Sequence, residues 1–420
     1  MRSEIIIDAG ADGTRVAFLE DGDLVEIYIE DSGHRSILGN IYLGRIENVL
    51  QGMQAAFVDI GCDKNAFLYI DDIISRGQEK DIANLVDVGQ DIAVQVIKEP
   101  MGTKGPRVTT NIKLPGRYVI LLPYMNYIGI SKKIENEAEK QRLKDLAQCI
   151  KPDGMGIIIR TEAQGKEKGE LARDLEFLIK QWEKVKDRMN KVNAPAILHK
   201  DDDLIARLVR DGFTCGIDKL VINSKEKYNQ VLELLDAISP SLNDKVEYYN
   251  GDKRIYEYYK IEEKLLKAVE RKVWLKNGGY IIIDETEALT VIDVNTGKYV
   301  GKDNPRETIL LTNKEAAKEI AKQLRLRDIG GIIIIDFIDM ANNMQQEEVL
   351  EELKKHLKRD RSRTTVMGIT HLGLVEMTRK KLRDNLSSIL MKKCPYCRGT
   401  GKVLLKEIMG KDVDNTNVIC

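Results

Sequence analysis

The sequence predicts a multidomain α/β protein in which a small β-barrel lies ahead of a half that alternates strands and helices. Three observations predict this. A chain of 420 residues is longer than one hydrophobic core ordinarily serves. Short strands separated by Gly-containing turns crowd residues 4–110. From residue 279 onward, apolar runs of strand length alternate with helical patterns. With 43% hydrophobic and 32% charged residues, the chain has a globular composition and can bury substantial cores.

Residues 4–8, 14–19 and 24–29 read as a meander turned at Asp12-Gly13 and Asp21-Gly22. Further strands are expected around 42–49, 55–60, 66–70 and 91–98, and a barrel is their natural closure. Neighbouring strand residues point to opposite faces, so Ala56, Val58 and Ile60 share one face and Phe57 the other. Ala66, Leu68 and Ile70 likewise oppose Phe67 and Tyr69. The small aliphatic faces suit a barrel interior. The aromatics then lie outside, either as stacking platforms for bases or as cover for a neighbouring domain. Arg45, Lys64, Lys104 and Arg107 are candidate phosphate contacts nearby.

A charged helix is expected over 134–150 and a strand over 156–160. Leu171, Leu175, Leu178, Trp182, Val185 and Met189 then recur at spacings of three or four, the stripe of a helix that packs on a core. Residues 204–270 carry helical patterns around the strand 219–223 and announce no chemistry. Beyond them, strands are predicted over 280–284, 288–292, 332–335 and 364–369. Helices are predicted from Thr312, over 345–358 and over 373–383, with Thr312 and Glu315 as a capping box.

The formal net charge is −1, from 66 Lys and Arg against 67 Asp and Glu, so any polyanion must be met by local patches. The N-terminus does not read as a secretory signal, and no apolar run approaches the ~20 residues that span a bilayer. A cytoplasmic protein without a membrane span is expected. Cys62, Cys149 and Cys215 sit in apolar or mixed sequence and read as reduced thiols.

Two apolar strands each end in an acid, at Asp293 in Val291-Ile292-Asp293-Val294-Asn295 and at Asp336 in Ile334-Ile335-Asp336-Phe337. Ligands of α/β sheets bind at the carboxyl ends of strands. Converging carboxylates repel unless a cation neutralises them, and magnesium, which keeps several waters, fits a pair of acids. Such an ion activates water and polarises a phosphodiester, with Asn295 placed to donate to the phosphate. The plainer alternative is that both acids are caps or ion-pair partners.

The run Val291–Gly297, the run from Ala321 through Arg325-Leu326-Arg327-Asp328 to Gly331 and on to Asp336-Phe337-Ile338-Asp339-Met340, and Cys394-Pro395-Tyr396-Cys397 together resemble the ribonuclease E/G family. The resemblance extends back through Gln54–Gly61 and Ile159-Arg160-Thr161, covers residues 1 to 405, and is nearest to the ribonuclease G branch. It implies a magnesium-dependent endoribonuclease that cleaves single-stranded, AU-rich RNA, leaves 5′-phosphate and 3′-hydroxyl ends, and serves rRNA and tRNA processing and mRNA decay. It also implies an RNase H-like subdomain (1–35 and 205–272) split by an S1 RNA-binding domain of the OB-fold (36–110) and a 5′-sensor region (111–204). A DNase I-like catalytic subdomain (273–388), a zinc-link (389–405) and a C-terminal tail (406–420) follow. By the same resemblance Asp293 and Asp336 are magnesium ligands and Asn295 contacts the scissile phosphate. Phe57, Phe67 and Lys104 grip RNA, and Arg160, Thr161 and Arg363 receive a 5′-monophosphate. Glu162 stands where a small residue is expected, which puts the strength of that preference in question.

Cys394 and Cys397 form a knuckle that presents two thiolates to one metal, whereas zinc takes four ligands. No histidine or second cysteine pair is near in sequence, so a second chain supplying its own pair is the economical solution: a homodimer that shares one zinc. Cys420 could add a ligand, and a CxxC without metal is the alternative. The chain stops soon after the knuckle, from which no degradosome scaffold tail is expected. Two rival functions remain. One is a non-catalytic RNA-binding protein. The other is an ATP-dependent enzyme of the actin and sugar-kinase type, suggested by Asp8 in the hairpin Ile7–Thr14.

Overall fold

A computed structural model describes residues 2–31, 36–74, 81–100, 104–214, 216–297, 305–381, 383–397, 399 and 401. Cys215, Cys420 and the tail 406–420 lie outside the described residues. The chain divides into two compact units, Arg2–Val16 with Tyr28–Ile255 and Ala17–Ile27 with the chain from Tyr256 onward.

In the first unit the chain opens with β1 (Ser3–Gly10). The strands β2 (Gly13–Glu20) and β3 (Asp23–Asp31) follow, and their residues 17–27 count with the second unit. Next come β4 (Ile41–Leu50), β5 (Ala55–Asp59), β6 (Ala66–Tyr69), β7 (Asp91–Lys98) and β8 (Arg107–Thr109). They pair in the order β4-β5-β6-β8-β7, and β7 returns to β4, closing a five-stranded barrel of the kind the short Gly-punctuated strands predict. Ala56, Val58, Ala66 and Leu68 are fully buried inside it, and Phe57, Phe67 and Tyr69 alternate to the outer face.

A second sheet follows from β9 (Leu114–Pro115), β10 (Val119–Leu122), β11 (Ile128–Ile130) and, after α1 (Glu137–Ile150), β12 (Gly156–Ile159). Helix α2 (Lys168–Met189) lays the predicted stripe, Trp182 included, into the core against this sheet. Then β13 (Ala196–His199) joins β4, and α3 (Leu204–Gly212), β14 (Lys219–Ile222), α4 (Lys225–Ile238) and β15 (Val246–Tyr248) complete the unit. Strand β14 pairs in parallel with both β1 and β15, so that Ser3 N–H reaches Asp218, 215 residues further along the chain.

After α5 (Ile255–Tyr258), the second unit runs α6 (Ile261–Lys267), β16 (Lys272–Trp274), β17 (Tyr280–Glu285), β18 (Leu289–Asn295), α7 (Pro305–Leu326), β19 (Gly331–Asp336), α8 (Asn343–Leu357), β20 (Thr364–Ile369), β21 (Val375–Arg379) and α9 (Leu386–Leu390). Its six-stranded sheet has the order β16-β17-β18-β19-β21-β20. One face, with Ile281, Ile283, Ile292, Val294, Ile333 and Ile335, packs on α7 and α8.

Two local expectations are corrected. Residues 373–383 do not form a helix: Val375, Met377 and Arg379 alternate buried with exposed Glu376 and Thr378, the period of a strand, and β21 pairs on both sides. Helix α7 begins at Pro305, so Thr312 is interior and caps nothing. Fully buried, it donates to Thr308 O at 2.8 Å and accepts from Asn277 at 3.2 Å.

The charged run Arg325-Leu326-Arg327-Asp328 is scaffold. Arg325 is bonded to Glu26 (2.9 Å) and Glu20 (3.0 Å), Arg327 to Gln323 (2.8 Å), and Asp328 receives Arg379 (2.6 Å) and Arg383 (2.7 Å). Arg379 also binds Asp360 at 2.7 Å. Buried charges persist only when paired in this way, and removing one partner strands the other. Among the described residues, no helix is long and apolar enough to cross a membrane.

Candidate functional site

Strands β18 and β19 run parallel with Asp293 directly opposite Asp336. The apolar runs before them fix this register. Ile292 and Ile335 are in register and fully buried against the helices, so the next residue of each strand turns its side chain to the opposite, open face. The two carboxylates therefore share one face at the carboxyl ends of adjacent strands, about 4.8 Å apart strand to strand. Asn295, two positions on, returns to the same face and donates to Asp293 Oδ2 at 2.7 Å. Its second amide hydrogen stays available to a ligand.

Partial burial at the strand end, reinforced by the charges of Asp293 and Asp339, raises the Asp336 carboxyl above its ordinary range. A divalent cation held by the two carboxylates would remove that repulsion. Among the described residues no group of three or more His, Cys, Asp or Glu is placed to hold a metal. The donor set is thus two carboxylates, which suits an ion that completes its shell with water and substrate oxygens and does not suit a caged one.

Two turns shape the rim. Gly297 has φ +59°, and a Cβ there would meet Gly278 O at 2.6 Å, so the Asn295-Thr296-Gly297 turn lies directly on the Leu275–Gly279 turn. Asn277 holds the second turn by accepting from Gly279 N at 3.0 Å. Behind Asp336, fully buried Asn313 of α7 clamps the chain, donating to Ile338 O at 2.8 Å and accepting from Ile338 N at 3.1 Å. The sequence reading missed Asn313. Its signal was a lone amide four residues before Ala317 on the apolar stripe of α7. Asn313→Ala leaves a buried backbone pair unsatisfied. We expect a loss of about 1–3 kcal/mol in unfolding free energy by denaturant titration, with reduced activity from a loosened Asp336.

On the barrel, Phe57 and Phe67 are cross-strand partners with centroids 5.9 Å apart at 70°, both half-buried on the outer face. Lys104 is exposed just before β8. A Cβ on the following Gly105 would sit 2.1 Å from Asn65 O, so glycine is what allows this approach. Two other candidate cations are engaged: Arg45 with Asp91 at 2.7 Å and Arg107 with Asp72 at 2.6 Å.

Arg160 follows β12, where its Nη1 donates to Gly116 O at 2.5 Å and to Asp211 at 2.6 Å. The Thr161 and Ser131 hydroxyls are bonded at 2.9 Å, and Glu162 is exposed. Arg363 belongs to the second unit and is exposed ahead of β20. Cys394 is half-buried and Cys397 buried, and neither is in a disulfide. Arg398, Thr400 and Lys402, which follow in the knuckle, lie outside the described residues. Asp8, the acid of the rival phosphate hairpin, is taken up by Arg15 (2.5 Å) and Asn223 (2.7 Å).

The family model described as the ribonuclease E/G family matches residues 113–382. The chain is 44% identical over 414 residues to ribonuclease G of Escherichia coli (strain K12), a match covering 96% of this chain and 85% of that protein. Ribonuclease G of Haemophilus influenzae is 44% identical over 411 residues, 95% of this chain and 84% of its own. Ribonuclease E of a Nostoc species is 42% identical over 408 residues, which are 96% of this chain and 59% of that longer protein. With a family model matching more than half of the chain and relatives this similar along nearly all of it, the chain belongs to the ribonuclease E/G family.

Proposed function

We propose that this endoribonuclease of the ribonuclease E/G family is magnesium-dependent, that its cutting site is the pair Asp293 and Asp336, and that it hydrolyses single-stranded, AU-rich RNA. The observation that carries the reading is the register of the two acids on one open sheet face, with Asn295 beside them and the Asp336 carboxyl raised by partial burial and then by the Asp293 and Asp339 charges. A divalent cation bound there supplies an activated water and neutralises charge on the phosphodiester. Asp293 and Asp336 hold the site, and Asp293 fixes the amide of Asn295 so that its second N–H meets a phosphate oxygen. Water adds to phosphorus as the bond to the 3′ oxygen breaks, which leaves a 5′-phosphate and a 3′-hydroxyl.

Phe57, Phe67 and Lys104 are assigned to gripping the RNA: two ring faces for bases and one cation for the backbone. Arg160, Thr161 and Arg363 are assigned to a 5′-monophosphate, and Asp211 already offsets part of the charge on Arg160. Cys394 and Cys397 are assigned to a zinc shared by two subunits. The domain order assigned is an RNase H-like subdomain split by an S1 domain and a sensor, then a DNase I-like subdomain. The roles that follow are processing of rRNA and tRNA and decay of mRNA.

Mixed with an unstructured, 5′-monophosphorylated AU-rich oligonucleotide, the protein should give internal cuts with magnesium and none with EDTA. The new 3′ ends should accept tailing by a polymerase. Cutting that persists in the chelator overturns the metal reading, and no cutting in either condition favours a binding protein.

A further inference from the structure

The open face of the six-stranded sheet carries an aromatic pair that the reaction described above leaves unused. Trp274 on β16 is the cross-strand partner of Tyr280 on β17, and Tyr280 is in turn the partner of Asn295. Residues in one cross-strand row point to one face. Trp274, Tyr280 and Asn295 therefore form a single row, and the row beside it reads Lys272, Ile282, Asp293, Asp336. The aromatics stand on the same face as the acids, with Trp274 two strand spacings from Asn295, roughly 10 Å. That is within the reach of a nucleotide neighbouring one whose phosphate lies at Asn295.

Neither ring belongs to the hydrophobic core of this unit, which lies on the opposite face. Trp274 is 55% exposed. Tyr280 meets it edge-on, with centroids 5.4 Å apart at 65°, which fixes the indole without covering it. The Lys272 ammonium lies 4.0 Å from the Trp274 centroid and 3.7 Å from that of Tyr280, so a cation is held at the platform, in the row of the acids. An exposed indole, an edge-on buttress and a positioned ammonium are the parts that hold an unpaired base and its phosphate. An apolar protein partner would have no use for the ammonium.

We propose that Trp274, buttressed by Tyr280, is a stacking platform for an unpaired base flanking the cleaved phosphodiester, with Lys272 meeting a phosphate beside it. The platform thereby selects where along a single strand the acids cut. This rests on the reading of Asp293 and Asp336 as the cutting site, and the test separates the two.

The chain has two tryptophans, and Trp182 is only 2% exposed, so quenching by RNA reports Trp274. In full-length Asp293→Asn protein, a single-stranded oligonucleotide should quench the emission saturably, and Trp274→Phe added to that variant should lose the signal. In otherwise unaltered protein, Trp274→Ala should raise KM about tenfold with little change in kcat, and Trp274→Phe should restore most of it. One abasic residue scanned across the cleavage site should raise KM about tenfold at a single flanking position, and should add nothing there in Trp274→Ala. Absence of quenching, or abasic penalties equal in both proteins at every position, overturns the platform. Cleavage that survives in Asp293→Asn overturns the assignment of the cutting site instead, and leaves the quenching result to be judged by itself.

Discussion

Asp336→Asn should abolish cleavage, by about 10³-fold or more, while making the metal-free protein harder to unfold. Both effects have one cause. The Asp336 carboxyl is raised by partial burial and by the Asp293 and Asp339 charges, so its ionised form is disfavoured in the fold relative to the unfolded chain. A carboxyl whose folded pKa is raised contributes stability below its unfolded pKa, and that contribution is lost as pH rises through the folded value. At neutral pH the acid is therefore a liability that the uncharged amide removes, and the gain in Tm should shrink as the pH falls through the carboxylate range. Residual activity of a tenth or more would show that the acid pair is not the cutting site. An unchanged or lower Tm at neutral pH would show that the repulsion is already relieved. A site that gathers mutually repelling acids trades stability for function, the usual arrangement where a charge cluster awaits its ligand.

The second large effect is expected at the knuckle. Cys394→Ser should strip bound zinc from the protein and shift it from dimer to monomer in sedimentation, with the far-UV spectrum and the thermal unfolding of the barrel unit unchanged. The knuckle brings two thiols, one half-buried and one buried, and zinc takes four ligands. Structural zinc in small peptides contributes on the order of 10–16 kcal/mol, so a metal shared by two knuckles suffices to hold two chains. Serine supplies no thiolate, and its hydroxyl is a poor zinc ligand at neutral pH. Metal analysis and sedimentation read the two halves of the claim separately. A dimer that retains zinc after the substitution rejects the shared site.

Much of this was legible in local pattern. The inside-outside alternation of Ala56-Phe57-Val58 and Ala66-Phe67-Leu68 is a period of two, and the Leu171 to Met189 stripe is a period of three to four. Each reports burial directly, because side-chain direction follows the backbone repeat. The two acids were equally plain, since Asp293 and Asp336 each follow an apolar run, although β18 continues past Asp293 through buried Val294 to Asn295 and does not end there. The failures were at places that local pattern does not reach. Residues 375–379 offer too few apolar positions to distinguish a strand from a turn of helix, and pairing with β19 and β20 decided the matter. Thr312 looks like a helix start because capping chemistry and buried hydroxyl chemistry use the same residue. Arg325, Arg327 and Asp328 form a buried network closed by Glu26, Gln323 and Arg379, and no local pattern shows that Glu26 and Arg379 reach them.

By itself the sequence determined the residue types, the periods of burial, and the two apolar runs that Asp293 and Asp336 follow. Only the tertiary structure decided that β18 and β19 are parallel neighbours in a register that sets the acids opposite each other. It also decided that Trp274, Tyr280 and Asn295 share their face, and that Asn313 clamps the chain behind Asp336. The physical reason is that register is a property of pairs of strands. It is set by which apolar faces must be buried together across long stretches of chain, and no window of one strand contains that information.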